Sequence, residues 1–328
     1  MKQGCLAGLF LLFHLVIHAQ SYKLQIAPAG LQPSPYFYFS SIVDEREQKD
    51  HAGRALIGNK KVVVDFRKTL SEDISLLLSP LMIADSLKVP LIFSVDRFVV
   101  NETGSLSRHV ASLDFAYKIK RIINGNSYVI YEGNGNPSIT IHGTYDKAHE
   151  TIITKSMQQF IEGFNQWIQE NKDLYQLARK VELSYKEEDR YSHGGDTIAW
   201  SATKRLQWSD FKGRPSGSSF MAQSNCLFSY SVDPKMKEGI CYLNIRLSAC
   251  FEKTNSWVKK GNDKDALLAH EQLHFDICEV NVRALRKRLS ETKLNPIEFD
   301  LQISRLFDEA WKKYQEDQDA YDNETDHG

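Results

Sequence analysis

His270, Glu271 and His274 are the residues whose types and spacing point most directly to chemistry, because they form a His-Glu-x-x-His sequence. On a helix, a spacing of four residues places both imidazoles on one face, where they can bind one metal ion as in zinc hydrolases. Glu271 would then lie beside a metal-bound water and could accept its proton. The competing interpretation is that two inward-facing histidines are ordinary core residues.

The sequence around these residues favours a helix. Asn262 and Asp263 offer N-cap side chains after the break at Gly261, and Asp265 places negative charge in the first turn, where the helix dipole favours it. Apolar residues then recur near helical spacing, and basic residues are enriched at the far end of the segment. The two histidines are predicted to face inward from this helix.

The amino terminus has the pattern of an export signal. Lys2 precedes an apolar run from Cys5 to Ile17, and cleavage is expected after Ala19. The run is too short to cross a bilayer as a helix. We therefore expect a periplasmic or secreted protein without a stable membrane span after cleavage.

Charge and composition narrow the class of protein. Lys and Arg number 41 against 42 Asp and Glu, for a net charge of -1, which argues against nucleic-acid binding because phosphate binding needs a basic surface. A hydrophobic content of 42% supports globular cores, and 328 residues suggest about two domains.

We predict an α+β domain at residues 20–178, a charged linker at residues 179–197 and a second domain at residues 198–328. The first is mainly strands, with one helix from Ser71 to Leu87 and a longer one carrying an apolar stripe at residues 153–168. Its histidines, His109, His142 and His149, are expected at the surface or in turns. This domain is a candidate adaptor for an envelope partner.

Four cysteines remain after the signal: Cys226, Cys241, Cys250 and Cys278. An exported location permits disulfides. Cys226 and Cys241 flank a predicted hairpin turn at residues 233–235 and are candidates to pair across it, although connectivity stays open from sequence. A cysteine zinc site is disfavoured because no Cys-x-x-Cys spacing occurs.

The second domain resembles the DUF922 family of bacterial secreted proteins, which are described as predicted zinc-dependent proteases. Four ordered phrases carry the resemblance: Trp208 to Pro215, Ser256 to Val258, Leu267 to Ile277, and Tyr321 to Gly328. The resemblance implies a zincin-like core with a small antiparallel sheet, a metal-binding helix and a later helix that delivers a third ligand. The sequence agrees in outline, since residues 223–231 and 239–251 predict a hairpin and residues 301–314 an amphipathic helix.

The third ligand is expected in the terminal phrase. The family-like Thr-x-His-Gly ending favours His327, while Glu324 and Asp322 are alternatives. If the last helix is unbroken, Glu324 lies closer to the face of Tyr314 and Tyr321 than His327 does, so His327 would need the helix to end before it. A solvated acidic tail is the other interpretation of this segment.

Asp276 and Tyr321 are candidates for supporting roles. A carboxylate often orients a ligand histidine, and a tyrosine can donate to a developing oxyanion. Asp276 lies two positions past His274, however, and the alternative is that it binds a neighbouring loop or strand.

The sequence thus predicts an exported zinc metallopeptidase with Zn²⁺ as cofactor, a protein or peptide as substrate and Glu271 as general base. One alternative is an exported binding or envelope-assembly protein with a degenerate or structural metal site. Another keeps the hydrolase but changes its substrate, for instance to a peptidoglycan amide or to the protein's own chain.

Overall fold

The computed structural model describes residues 21–57, 60–105, 107–142, 147–185, 195–215, 217 and 219–325. The chain divides into two compact units, Met1–Gln169 and Glu170–Gly328. Each unit combines sheet with helix, which confirms the α+β class. The predicted export signal lies outside the described residues. None of the helices in the described ranges is long and apolar enough to cross a membrane.

Within the residues that the structure describes, the first unit is built on an eight-stranded sheet with two helices. The main strand order is β1-β4-β3-β5-β6-β7, while β2 pairs with β5 and β8 with β6. The helices are α1 (Leu70–Leu77) and α2 (Ala148–Glu170). The strands are β1 (Ser21–Lys23), β2 (Phe37–Asp44), β3 (Gly53–Ile57), β4 (Lys60–Asp65), β5 (Val89–Ser105), β6 (Arg108–Ile123), β7 (Asn126–Gly135) and β8 (Ser138–Ile141).

The apolar stripe of α2 packs against aromatic side chains of the sheet. Phe160 lies 5.2 Å from Phe93, and Phe164 lies 4.9 Å from Phe37, measured between ring centroids. Such contacts add to the hydrophobic stabilisation that comes from burying the rings. The spacing at residues 153–168 therefore marked the buried face of this helix.

Two predictions for the first unit are wrong. The helix predicted to reach Leu87 ends at Leu77, because Pro80 cannot continue an α-helix and the chain forms a short 3-10 turn there. His109 and His149 are buried, at 5% and 8% exposure, because the carboxylate of Glu102 lies between them. The pairing depends on contacts between β5, β6 and α2, which local sequence does not reveal.

The described part of the second unit has a four-stranded sheet, a two-stranded sheet and two long helices. In the larger sheet β13 pairs with β12 on one side and with β9 and β10 on the other. In the smaller sheet β11 pairs with β14. The elements are β9 (Lys180–Tyr185), β10 (Thr197–Ala199), β11 (Ala222–Gln223), β12 (Cys226–Lys237), β13 (Ile240–Glu252), β14 (Trp257–Val258), α3 (Asp265–Glu291) and α4 (Phe299–Thr325).

The segment predicted as a linker contributes a strand instead. Val181, Leu183 and Tyr185 of β9 alternate with polar residues and pack against the core of the second unit. Charged residues on the other face of the strand masked this alternation. The first unit correspondingly ends at Gln169, before the predicted boundary at residue 178.

The predicted turn at residues 233–235 is also wrong, since β12 runs through it and the hairpin turns at Glu238 and Gly239, both with positive φ. Pro234 is tolerated because β12 is an edge strand. On β12, Cys226 lies opposite Phe251, whereas Cys241 lies opposite Met236, ten residues further along the strand. That separation, roughly 33 Å, is far beyond the reach of a disulfide, and all four cysteines are free.

Helices α3 and α4 pack in antiparallel orientation. Contacts between them run from Arg288 with Glu309, through Asn281 with Asp317, to His274 with Gln318. The carboxy-terminal turns of α4 consequently lie over the first turns of α3, where His270 and His274 are located.

Candidate metal centre

Helix α3 presents the histidines as the sequence predicts, although its start differs slightly. The N-cap residue is Lys264, without a side-chain capping bond, rather than Asn262 or Asp263. The Lys264 amide donates to the Asn262 carbonyl at 2.8 Å, which forms a tight turn just before the helix. His270 and His274, four residues apart, face α4 and are largely buried.

Three potential ligand atoms converge between α3 and α4. His270 Nε2 and His274 Nε2 are 3.1 Å apart, and Asp322 Oδ1 lies 3.4 Å from the first and 3.0 Å from the second. Ligands about 2.0–2.2 Å from a tetrahedral zinc ion lie roughly 3.3 Å from one another, so the spacing suits zinc. Two imidazoles with one carboxylate are also a donor set found at catalytic zinc sites, where a fourth position stays open.

Glu271 lines the same cavity as His270, His274 and Asp322. Its side chain is buried at 3% exposure, and its Oε2 has no hydrogen-bond partner among the described residues. Burial raises the pKa of the Glu271 carboxyl above its ordinary value, against the opposing effects of Ser224 and His274. A buried carboxylate oxygen without a partner beside a polar cavity is what a general base requires.

A cavity of about 250 Å³ gives access to the cluster. The segment around β11 forms one wall, and α3 and α4 form the rest. The lining residues are Phe220, Ala222, Gln223, Ser224, Asn225, Cys226, His270, Glu271, His274, Tyr314, Gln318 and Asp322.

Two of the phrases that resemble the family, residues 208–215 and 256–258, contact each other and the segment next to β11. Gly213 donates to the Ser256 carbonyl at 2.8 Å, and an added Cβ would lie 2.7 Å from the Thr254 carbonyl oxygen, so a larger residue would displace the loop. The buried Ser256 hydroxyl accepts from the Asn225 amide at 2.8 Å, next to β11. Trp257 is buried at 4% exposure as a core aromatic.

Three residues were predicted as candidates for the third ligand. Of these, the structure brings Asp322 next to the two histidines. Glu324 is exposed near the end of α4, and His327 lies outside the described residues. Among the residues that the structure describes, His270, His274 and Asp322 are the one set of three metal-binding side chains whose ligand atoms lie within 4.8 Å of one another.

Of the two predicted supporting residues, Tyr321 lies at the site and Asp276 is engaged elsewhere. The Tyr321 ring stacks on His270 at 4.8 Å and meets His274 edge-on at 5.1 Å. Asp276 accepts from Trp200 Nε1 at 2.7 Å and from Arg205 at 2.9 Å. Asp276 therefore anchors the segment before Trp208 and does not orient a histidine. Its position on α3 points its side chain toward that segment.

Residues that the sequence did not single out complete the surroundings. Gln318 contacts His274 through both ends of its amide, and Thr325 Oγ1 lies 3.4 Å from His270 Nδ1. Together with Asp322 they recur on α4 at spacings of four and three residues, the signal that could have found them. Cys226 also lines the cavity, but burial raises the pKa of its thiol well above its ordinary value, which disfavours a thiolate ligand.

Comparisons with known proteins match this region to one family model. Residues 189–328 match the family model described as "Bacterial protein of unknown function (DUF922)", in agreement with the resemblance found in the sequence. No curated protein matches the chain. A solved structure, protein XCC0632 from Xanthomonas campestris of the DUF330 family, aligns at 12% identity with a TM-score of 0.29, over 45% of this chain and 94% of its own.

Proposed function

We propose that the carboxy-terminal unit, whose residues 189–328 match the DUF922 family model, is a zinc-dependent hydrolase that cleaves amide bonds in peptides or proteins. The observation that carries this proposal is the convergence of His270 Nε2, His274 Nε2 and Asp322 Oδ1 beside a buried Glu271 oxygen that has no hydrogen-bond partner among the described residues. In this proposal the fold is zincin-like, with α3 as the metal helix and α4 delivering the third ligand.

His270, His274 and Asp322 would hold the ion. Zinc in such a site supplies Lewis acidity, which lowers the pKa of a coordinated water to about 7. Glu271 accepts the proton of the attacking water and returns it to the leaving nitrogen, the two transfers that amide hydrolysis requires. Its burial favours both, because burial raises the pKa of the Glu271 carboxyl above its ordinary value and so makes the carboxylate a stronger base.

The substrate reaches the site through the cavity beside β11. In this proposal Tyr321, whose ring packs on both histidines, donates its hydroxyl to the developing oxyanion. From the apolar run at residues 5–17 we further propose that the protein acts outside the cytoplasm.

The test compares wild-type protein with the Glu271→Gln variant, purified without chelators. We expect about one zinc ion per chain in both, and we expect hydrolysis of a labelled unfolded protein to fall about 10²–10⁴-fold in the variant. Glu291→Gln, which changes an exposed carboxylate at the far end of α3, is the matched control and should leave zinc content and hydrolysis unchanged. Equal hydrolysis by wild type and Glu271→Gln would refute the mechanism, and zinc without any hydrolysis would indicate a structural metal site.

A further inference from the structure

The amide of Gln318 is held at both ends by a single residue, His274. Gln318 Nε2 donates to the His274 backbone carbonyl at 2.8 Å, and Gln318 Oε1 contacts the Nδ1 of the His274 ring. A backbone carbonyl can only accept, so the NH₂ group must face it and the amide oxygen must face the ring. An amide oxygen in turn only accepts, so His274 Nδ1 must carry the proton.

This arrangement determines which tautomer His274 adopts. A neutral imidazole has one protonated nitrogen and one lone pair, and protonation of Nδ1 leaves the lone pair on Nε2. Nε2 is the atom that faces His270 and Asp322. Without a metal, Asp322 Oδ1 at 3.0 Å favours a proton on Nε2, and Gln318 opposes this by favouring the tautomer that a metal ion needs.

Thr325 makes the corresponding contact to His270, less tightly. Its hydroxyl donates to the Tyr321 carbonyl at 2.8 Å, which uses its one hydrogen. Toward His270 Nδ1, at 3.4 Å, the hydroxyl oxygen is left to accept. The bond is longer and Thr325 is exposed, so water competes for it.

We propose that Gln318, with Thr325 as a weaker counterpart, is a positioning residue that holds the two histidines as Nδ1–H tautomers with both Nε2 lone pairs aimed at one point. α4 then has two tasks, since it delivers Asp322 and sets the protonation pattern of α3. This inference rests on the metal centre proposed above, but it concerns the imidazoles themselves and does not depend on turnover.

The first experiment measures zinc affinity by chelator competition. Gln318→Leu removes both hydrogen bonds at similar volume, and we expect affinity to fall about 10–100-fold, the usual effect of losing such a partner. Thr325→Val should cost less than Gln318→Leu. Gln315→Leu, at an exposed position of the same helix, is the matched control and should leave affinity unchanged.

Gln318→Glu separates positioning from structural support. A carboxylate keeps the acceptor for His274 Nδ1–H but loses the donor to the His274 carbonyl. We expect affinity to recover most of the way to the wild-type value. An affinity as low as that of Gln318→Leu would instead show that Gln318 merely braces the backbone, and it would overturn the proposal.

The second experiment needs no zinc and so distinguishes this inference from the proposed function. Long-range ¹H–¹⁵N spectra of the metal-free full chain, recorded above the ordinary histidine pKa of about 6.5, report which ring nitrogen carries the proton. We expect Nδ1–H for His274 in the wild type and a shift toward Nε2–H in Gln318→Leu. Nε2–H in the wild type, or an unchanged tautomer in the variant, would refute the proposal even if zinc binds. Failure of zinc to bind the wild type would refute the metal centre and leave this spectrum to decide the tautomer.

Discussion

Each unit buries a pair of histidines against a carboxylate, and the two clusters differ in what their ring nitrogens face. In the first unit Glu102 lies between His109 Nε2, at 2.7 Å, and His149 Nε2, at 3.3 Å with poor hydrogen-bond geometry. Glu102 also accepts from the Leu56 amide at 2.6 Å. The carboxylate there ties β3, β5, β6 and α2 together.

In the second unit the carboxylate of Asp322 and two Nε2 atoms converge on one point, and Gln318 and Thr325 direct the rings from behind. A cavity opens onto the cluster. Buried histidines beside a carboxylate therefore do not by themselves form a set of ligand atoms that a metal ion can bind. Convergent lone pairs, ring orientation and access are the additional requirements.

The largest expected effect is on zinc affinity, when one histidine is removed from each cluster in turn. His274→Ala should weaken zinc binding roughly 100–1,000-fold, since structural zinc sites bind with about 10–16 kcal/mol shared among four ligands. His149→Ala should leave zinc affinity unchanged, because its cluster is structural. Chelator competition measures both, and a comparable loss in His149→Ala would erase the distinction between the clusters.

Next in size is the effect of the third ligand. Asp322→Ala should lower zinc affinity by roughly 100-fold through loss of one ligand, whereas Glu324→Ala, two residues further along the same helix, should not change it. His327→Ala extends the series to the residue that the sequence favoured. A greater loss in His327→Ala or Glu324→Ala than in Asp322→Ala would assign the ligand differently.

Removing zinc should loosen one unit and spare the other. At free zinc 100-fold above Kd, binding adds about 2.7 kcal/mol of stability to the unit that binds it. Hydrogen exchange with and without chelator should therefore show up to about 100-fold less protection in the last turns of α4 and no change in α2. Equal loss in both helices would mean that the metal acts on the whole chain.

The smallest effect is a pH dependence in the first unit. Burial lowers the pKa of His149, against the opposing influence of Glu102 and Glu150 and with a further lowering by His109. The unfolded chain therefore binds a proton near pH 6.5 that the folded unit binds only at lower pH. As pH falls below 6.5, the ratio of folded to unfolded protein falls by at most about tenfold per pH unit.

Hydrogen exchange of α2 in the full chain, corrected for intrinsic rates, measures this pH dependence. His149→Gln removes the titrating group and should flatten the profile. A profile as steep in the variant as in the wild type would place the dependence elsewhere.

The sequence predicted the part of the site that one helix carries. The sequence revealed His270, Glu271 and His274 because a spacing of four residues is a local property. The acid and the cations at the two ends of the segment predicted a helix around them, and the structure confirms that helix. The DUF922 phrases located the supporting loops for the same reason, since each phrase is a local unit.

The third ligand could not be fixed in that way. On α4, Asp322 and Glu324 lie about 80° to either side of Tyr314, so helical spacing alone does not choose between them. The choice depends on how α4 is rotated about its axis against α3. Its buried face of Phe299, Ile303, Ala310 and Tyr314 fixes that rotation, and the Tyr314 hydroxyl donates to the Cys226 carbonyl at 2.6 Å. Contacts between elements far apart in sequence also decided the burial of His109 and His149 and the strand β9 inside the predicted linker.

The most direct test of the metal centre is a crystal structure of the zinc-loaded protein with anomalous data collected at the zinc edge. We predict one strong anomalous peak bonded to His270 Nε2, His274 Nε2 and an Asp322 oxygen at about 2.0–2.2 Å, with its fourth position facing Glu271 and the cavity. A peak held by other side chains, or none between α3 and α4 at saturating zinc, would contradict it.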